Sequence, residues 1–200
     1  MKRLHHSLLP VLLACAAAAA AGLDGVAEDR VGVSEAAQGA LPGKTFDAAT
    51  IIDAPAQKLC AILVDYAAYP DFMPNTKTVD VLAGGADHAL LDMTLALPLG
   101  KTKKYRLRLD AQSEAQRCHV AWQLVPRADL AADDTIADTS GYWCLSALPA
   151  NKNKSLVEYH VYADPGPIPY GLGWIVDILS KQSLPKTLEA LRAQARKPLR

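Results

Sequence analysis

The feature that most narrows what this chain can fold into is a long series of alternating apolar and polar residues held between two helical segments. After Pro74 the sequence reads as successive strands: Lys77 to Leu82, Ala89 to Leu97, Lys103 to Ala111, Arg117 to Val125, Ile136 to Leu148 and Ser155 to Asp164. Side chains two apart in a strand share a face, so Leu91, Met93, Leu95 and Leu97 fall together. Tyr105, Leu107 and Leu109 likewise oppose Lys104, Arg106, Arg108 and Asp110, and Cys118, Val120, Trp122 and Leu124 point inward. Strands with one wet face belong to an antiparallel sheet that covers a core on one side only. Turn chemistry at Gly84-Gly85-Ala86-Asp87 and Leu99-Gly100-Lys101-Thr102 lets neighbours pair directly, and a polar connection runs from Arg127 to Asp134.

The helical brackets complete the architecture. A first strand, Lys44 to Asp53, sets Phe46, Ala48, Thr50 and Ile52 on one face. Pro55 then stands where a helix can begin, because its missing N–H would have had no intrahelical partner. Ala56 to Tyr66 follows as a helix burying Leu59, Ile62 and Leu63, and Tyr69-Pro70-Asp71-Phe72-Met73-Pro74 ends it. The last segment, Tyr170 to Ala195, carries Leu172, Ile175, Val176, Leu179, Ser183, Leu188 and Leu191 at helical spacing, widened by Trp174 and Ile178. Pro185 predicts a kink or restart near Ser183 to Pro185. The expected class is α+β, with about seven antiparallel strands and a long C-terminal helix across the concave face.

Ahead of this domain, Lys2 and Arg3 precede a charge-free apolar run from Leu8 to Ala21. That is the layout of a secretory signal, and the run is shorter than the roughly 20 residues a spanning helix needs. Cleavage after Ala21 is expected. Leu12-Leu13-Ala14-Cys15 also resembles a lipobox, the alternative being a lipoprotein signal over 1–14 with Cys15 lipidated as a membrane anchor. Both readings export the chain to the periplasm or beyond. Residues 22–43 read as a flexible linker and 44–197 as one domain. The 21 basic and 21 acidic residues balance without a basic stripe, which speaks against nucleic acid as a partner.

The usual catalytic constellations are missing. The sequence holds no G-x-S-x-G, H-E-x-x-H, phosphate loop or C-x-x-C. His88 falls near a turn, and His119 and His160 fall on strand faces opposite Val120 and Val161, where water is the expected neighbour. No metal and no cofactor is expected. Arg106 and Arg108 share the wet face with Lys104 and Asp110, so a solvated surface explains them better than an anion clamp. Asp65 is expected to close its helix or accept backbone hydrogen bonds from the following turn. Tyr159 shares a face with Val157 and Val161, and its buried hydroxyl would need a partner.

With Cys15 removed alongside the signal, Cys60, Cys118 and Cys144 remain, an odd number for an oxidising compartment. A hairpin centred on Leu130-Ala131 would set Cys118 opposite Cys144. The same register would turn Trp143 and Leu145 outward, so the pattern speaks against that bridge. Cys60 is expected to be a buried helix residue.

Taken in order, several stretches resemble the START-like superfamily, also called helix-grip, SRPBCC or polyketide cyclase/dehydrase, and within it the coenzyme Q-binding START domains. They are Ile52-Asp53-Ala54-Pro55, Asp65-Tyr66-x-x-Tyr69-Pro70-x-Phe72-x-Pro74, Gly141-x-Trp143, Val157-Glu158-Tyr159, Asp164-Pro165-Gly166 and Ser183-Leu184-Pro185-Lys186-Thr187-Leu188. The resemblance spans Thr45 to Ala195. It implies two short helices after the first strand and a deep apolar tunnel between the sheet and the last helix. Members bind lipids, sterols, isoprenoid quinones or polyketides, and only some are enzymes.

The expectation is an exported binding or carrier protein for a hydrophobic small molecule, with that ligand and, transiently, a membrane as its partners. Strand parity and helix spacing nominate Met93, Leu95, Trp122, Tyr159, Leu172, Ile175 and Leu179 as its lining. The Asp164 to Gly173 segment, with the Tyr69 to Pro74 loop, is the expected gate. A cyclase or dehydratase using the same cavity is the enzymatic alternative, with Tyr159 as its candidate polar group. An envelope interaction module with a filled core is the third.

Overall fold

The computed structural model describes residues 26–37, 39–167 and 182–199. The expected signal segment and residues 170–181 of the expected last helix lie outside the described residues. Among the described residues, eight antiparallel strands form one open sheet. They are β1 (Gly32–Glu35), β2 (Lys44–Ile52), β3 (Thr76–Gly84), β4 (His88–Ala96), β5 (Thr102–Glu114), β6 (Arg117–Val125), β7 (Asp138–Leu148) and β8 (Asn151–Asp164). Strands β3 to β8 form a meander, and β2 returns beside β8, giving the order β1-β2-β8-β7-β6-β5-β4-β3.

The count exceeds the expected seven because part of the stretch read as a linker joins the sheet. β1 pairs with β2 from Gly32 opposite Ala49 to Glu35 opposite Phe46. A four-residue edge strand containing glycine and serine has too little pattern to read locally; its order comes from the ladder that β2 offers. Thr50, fully buried, helps hold this arm, since its hydroxyl lies 2.9 Å from the Arg30 carbonyl and 3.1 Å from that of Ala27.

Between β2 and β3 the chain crosses the concave side of the sheet. Ser155 Oγ donates to the Ala54 carbonyl at 2.7 Å, fixing the turn out of β2. Helix α1 (Ala56–Val64) starts after Pro55, whose carbonyl receives the amides of Lys58 and Leu59, and it buries Leu59, Cys60, Ile62 and Leu63. Asp65 ends it as C-cap, and the Ala68 amide bonds to the Asp65 backbone carbonyl. Helical geometry persists beyond the expected stop: a tight turn at Tyr66–Ala68 leads into α2 (Tyr69–Phe72). Pro70 is accepted there because it occupies the first turn, where no amide is required.

The last described helix, α3 (Ser183–Ala195), presents Leu184, Leu188, Leu191 and Ala195 to the core. Pro185 lies in its first turn, which is why it does not break the described helix. Leu188 and Leu191 are fully buried alongside Leu59, Leu63, Phe46, Ile52, Leu145 and Val157. Each such side chain contributes about 1.5–3 kcal/mol by leaving water. Arg192 fastens α3 to β2, its guanidinium reaching Thr50 Oγ1 at 2.5 Å and the Ile51 carbonyl at 3.3 Å.

The β6–β7 register differs by one residue from a hairpin centred on Leu130-Ala131. Cys118 faces Leu145, and Cys144 faces His119. This register keeps Trp143 and Leu145 on the core side, where both are buried. No Cys118–Cys144 bridge forms. Cys118 is bonded instead to Cys60, with Cα atoms 5.8 Å apart, so α1 is tied covalently to the middle of the sheet. Cys60 is thus the buried helix residue expected, and a bridge partner as well.

The wet face of the sheet carries its own interactions. Arg106 grips Asp92 through two hydrogen bonds of 2.7 and 2.9 Å, and Arg127 reaches the same carboxylate at 3.0 Å. His160 and His119 sit on this face as expected, partly exposed to solvent and also in contact with protein groups. His160 Nδ1 lies 2.7 Å from Asp47 Oδ1. The Tyr142 ring lies 5.0 Å from that of His160 and 5.3 Å from that of His119.

Candidate functional site

Because α1 and α3 fill only part of the concave side, a cavity of about 260 Å³ remains beside them. Small-molecule pockets occupy about 300–1,000 Å³, so this space lies near the lower end of that range. Its floor is the inward parity of β4 to β8: Met93, Leu95, Tyr105, Leu107, Leu109, Trp122, Trp143, Tyr159 and Val161. Tyr69, Met73 and Pro74 close one side, and Ser183 and Thr187 of α3 another. The Thr187 hydroxyl donates to the Ser183 carbonyl at 2.9 Å.

An aromatic wall organises the interior. Tyr159 stacks on Trp122 with ring centroids 5.4 Å apart and meets Trp143 at 4.3 Å. Trp122 can lie this close to the sheet because Gly141 is its register partner on β7. A Cβ at Gly141 would come within 2.4 Å of the Trp122 ring and 2.2 Å of the His160 carbonyl oxygen. The pattern Gly141-x-Trp143 therefore has a mechanical reason: the glycine seats one indole and the next inward residue supplies the second.

The tyrosines differ in how their hydroxyls are used. Tyr69 Oη donates to the Leu63 carbonyl at 2.5 Å, so it serves the α1–α2 junction. Burial, followed by the charges of Tyr66, Tyr159 and Asp65, pushes its proton affinity well above the ordinary range. Burial alone moves Tyr105 up to about 12. Tyr159 is raised by burial first and by Tyr105 second. At neutral pH both are protonated, uncharged hydrogen-bond donors.

Loops form the mouth. Asn75, exposed, adopts the left-handed conformation at φ 61°, which asparagine tolerates well, and its carbonyl receives the Ala96 amide at 2.7 Å. Opposite it, Asp164-Pro165-Gly166 makes a turn in which the Asp164 carboxylate accepts the Gly166 amide at 2.9 Å, with Gly166 at φ 74°. Lys103, almost fully buried, clamps this turn: its ammonium donates to the carbonyls of Pro165 and Thr135, each at 2.6 Å. Burial lowers its proton affinity, against the opposing pull of Asp133, Asp134 and Asp164. Asp138 and Asp164 are the charged groups among the described lining residues.

A family model described as polyketide cyclase / dehydrase and lipid transport matches residues 52–192. The chain belongs to this family. Its fold recurs in solved structures at low sequence identity. A STAR-related lipid transfer protein from Xanthomonas axonopodis superposes with a TM-score of 0.70 at 18% identity, over 84% of this chain and 95% of that one. The ZhuI aromatase/cyclase from Streptomyces sp. R1128 gives 0.63 at 16% identity, over 79% and 96% respectively. Human STARD10 gives 0.68 at 15% identity, over 82% and 69%. No curated protein sequence matches the chain.

Within this family frame, four of the residues nominated from sequence, Met93, Leu95, Trp122 and Tyr159, line the one cavity. Leu172, Ile175 and Leu179 lie outside the described residues. Of the expected gate, Asp164 and Pro165 line the cavity, as do Tyr69, Met73 and Pro74 of the loop named with it. Sequence parity also placed Tyr105, Leu107 and Leu109 inward but did not single them out as lining. Trp143 was obscured by the register ambiguity of its hairpin, and Lys103 by its place among charged residues at a strand end.

Proposed function

We propose that this protein is an exported binding or carrier protein for an uncharged, hydrophobic small molecule taken up between the sheet and the C-terminal helix. The observation that carries the reading is the cavity itself, which is walled by aromatic and aliphatic side chains and whose charged described lining residues stand at the mouth. At about 25 cal/mol per Å² of apolar surface removed from water, a modest ring system or chain segment can be held without an ion pair. An apolar cavity of about 150 Å³ is enough for a benzene-sized guest, so about 260 Å³ suits two or three fused rings or part of a longer molecule. Lipids, isoprenoid quinones and polyketide-like compounds all offer such a part.

Export is supported by the charged-then-apolar start of the chain and by the Cys60–Cys118 bridge, since disulfides persist in oxidising compartments. A cyclase or dehydratase role receives less support. Proton transfer at neutral pH works best with groups titrating near 7, and the buried tyrosines are shifted the other way.

Organic extraction of the purified protein followed by mass spectrometry tests the carrier role. An apolar compound recovered in near-stoichiometric amount is the expected result. Protein that carries nothing and takes up no apolar fluorophore would overturn the reading. Fusing residues 1–43 to a reporter tests export, with retention in the cytoplasm the contrary outcome.

A further inference from the structure

The cavity contains two polar groups that the fold does not use. Tyr105 and Tyr159 both line it, and among the described residues neither hydroxyl has a hydrogen-bond partner. This contrasts with Tyr69, bonded to the Leu63 carbonyl, and Tyr162, whose hydroxyl accepts the Gly43 amide. Both side chains are partly buried and line the cavity, so hydroxyls that no described protein group engages are left for whatever occupies it. They reach it from different strands of the concave face, Tyr105 from β5 and Tyr159 from β8. Tyr159 is further held by its stack on Trp122 and its contact with Trp143, so its direction is set by packing.

From this arrangement we infer that Tyr105 and Tyr159 form a two-donor anchor for an uncharged carbonyl oxygen on a flat ring ligand, whose ring lies against the Trp122–Tyr159–Trp143 wall. The inference rests on the cavity being a ligand site, as proposed above. A carbonyl fits because each O–H donates once and a carbonyl oxygen accepts twice. A carboxylate does not fit. Among the described residues no cationic side chain lines the cavity, Lys103 is held by the Thr135 and Pro165 carbonyls, and Asp138 and Asp164 stand at the entrance. Burying an anion there would leave it without a countercharge.

Equilibrium dialysis with three probes of one shape, fluorene, fluorenone and fluorene carboxylate, tests the anchor. The expected order is fluorenone above fluorene by up to roughly tenfold, since the net gain from one or two added hydrogen bonds is worth about that much. The carboxylate should bind weakest. In Tyr105→Phe and Tyr159→Phe the preference for fluorenone over fluorene should shrink, and in the double variant it should approach unity. Thermal unfolding of each variant confirms that the phenylalanine proteins are folded. Equal binding of fluorene and fluorenone to the natural protein, or a ketone preference that survives the double substitution, overturns the anchor while leaving the apolar cavity in place. Failure of both neutral probes to bind overturns the cavity reading and the anchor with it.

Discussion

Breaking the Cys60–Cys118 bridge offers a test of how the helical insert is held on the sheet. The two residues are 58 apart in sequence, and the bond closes that whole segment, from α1 through β3, β4 and β5 into β6. In the chain-entropy picture a loop of this length removes about 4 kcal/mol worth of freedom from the unfolded ensemble. Against a typical net stability of about 5–15 kcal/mol, that is a large share. At about 2–4 °C per kcal/mol for a domain of this size, the melting temperature should fall by roughly 8–16 °C. The assay is urea and thermal unfolding of Cys60→Ala, Cys118→Ala and the double variant under non-reducing conditions, with peptide mapping to establish the pairing. Because any of the three opens the same loop, the single and double variants should lose nearly equal amounts. Two single losses that add up in the double variant would mean that the cysteines act by packing alone. Recovery of Cys60 and Cys118 as alkylated thiols from unreduced protein would refute the bridge.

Other perturbations test further contacts in the same fold. Gly141→Ala forces a methyl group against the His160 carbonyl and the Trp122 ring, and should cost about 1–3 kcal/mol while altering tryptophan fluorescence and weakening binding of an apolar fluorophore. Asp92 is held below the usual carboxylate range chiefly by its hydrogen bond to Arg106, so its contribution is complete above the unfolded value near 4 and fades as pH falls through the lower folded value. Asp92→Asn should therefore lower the melting temperature at neutral pH, with the two curves converging in strong acid; parallel curves down to the lowest pH would contradict this. Tyr105 works in the opposite sense: with its folded value near 12, stability tied to it is intact below about 10 and declines between about 10 and 12 as the unfolded chain ionises first. Tyr105→Phe should flatten that alkaline limb, as followed by pH-dependent unfolding and by tyrosinate absorbance. Lys103→Met removes the clamp on the Asp164–Gly166 turn and should speed exchange of a bound fluorophore, measured by stopped flow.

The meander from β3 to β8 was legible because parity is local: Leu91 and Met93, Tyr105, Leu107 and Leu109, and Val157 and Tyr159 each announce one buried face within a few residues. The α1 face through Leu59, Ile62 and Leu63 was legible for the same reason. β1 was not, since Gly32–Glu35 has no pattern of its own and gains order from β2. Nor was the Cys60–Cys118 bond, which joins a helix to a strand whose relative placement depends on how α1 lies across β5 to β8.

Sequence alone determined which side of each strand is oily, because side-chain alternation along an extended backbone is a property of the chain itself. It also excluded the common catalytic signatures by residue identity. Only the tertiary structure decided where those oily faces meet a helix and where they are left facing a void. That outcome depends on register, helix placement and the volume of side chains arriving from remote segments. The same long-range assembly leaves Tyr105 and Tyr159 lining the cavity without partners among the described residues, bonds Tyr69 to the end of α1, and turns Lys103 from a strand-end charge into the clamp of a loop 62 residues away in sequence.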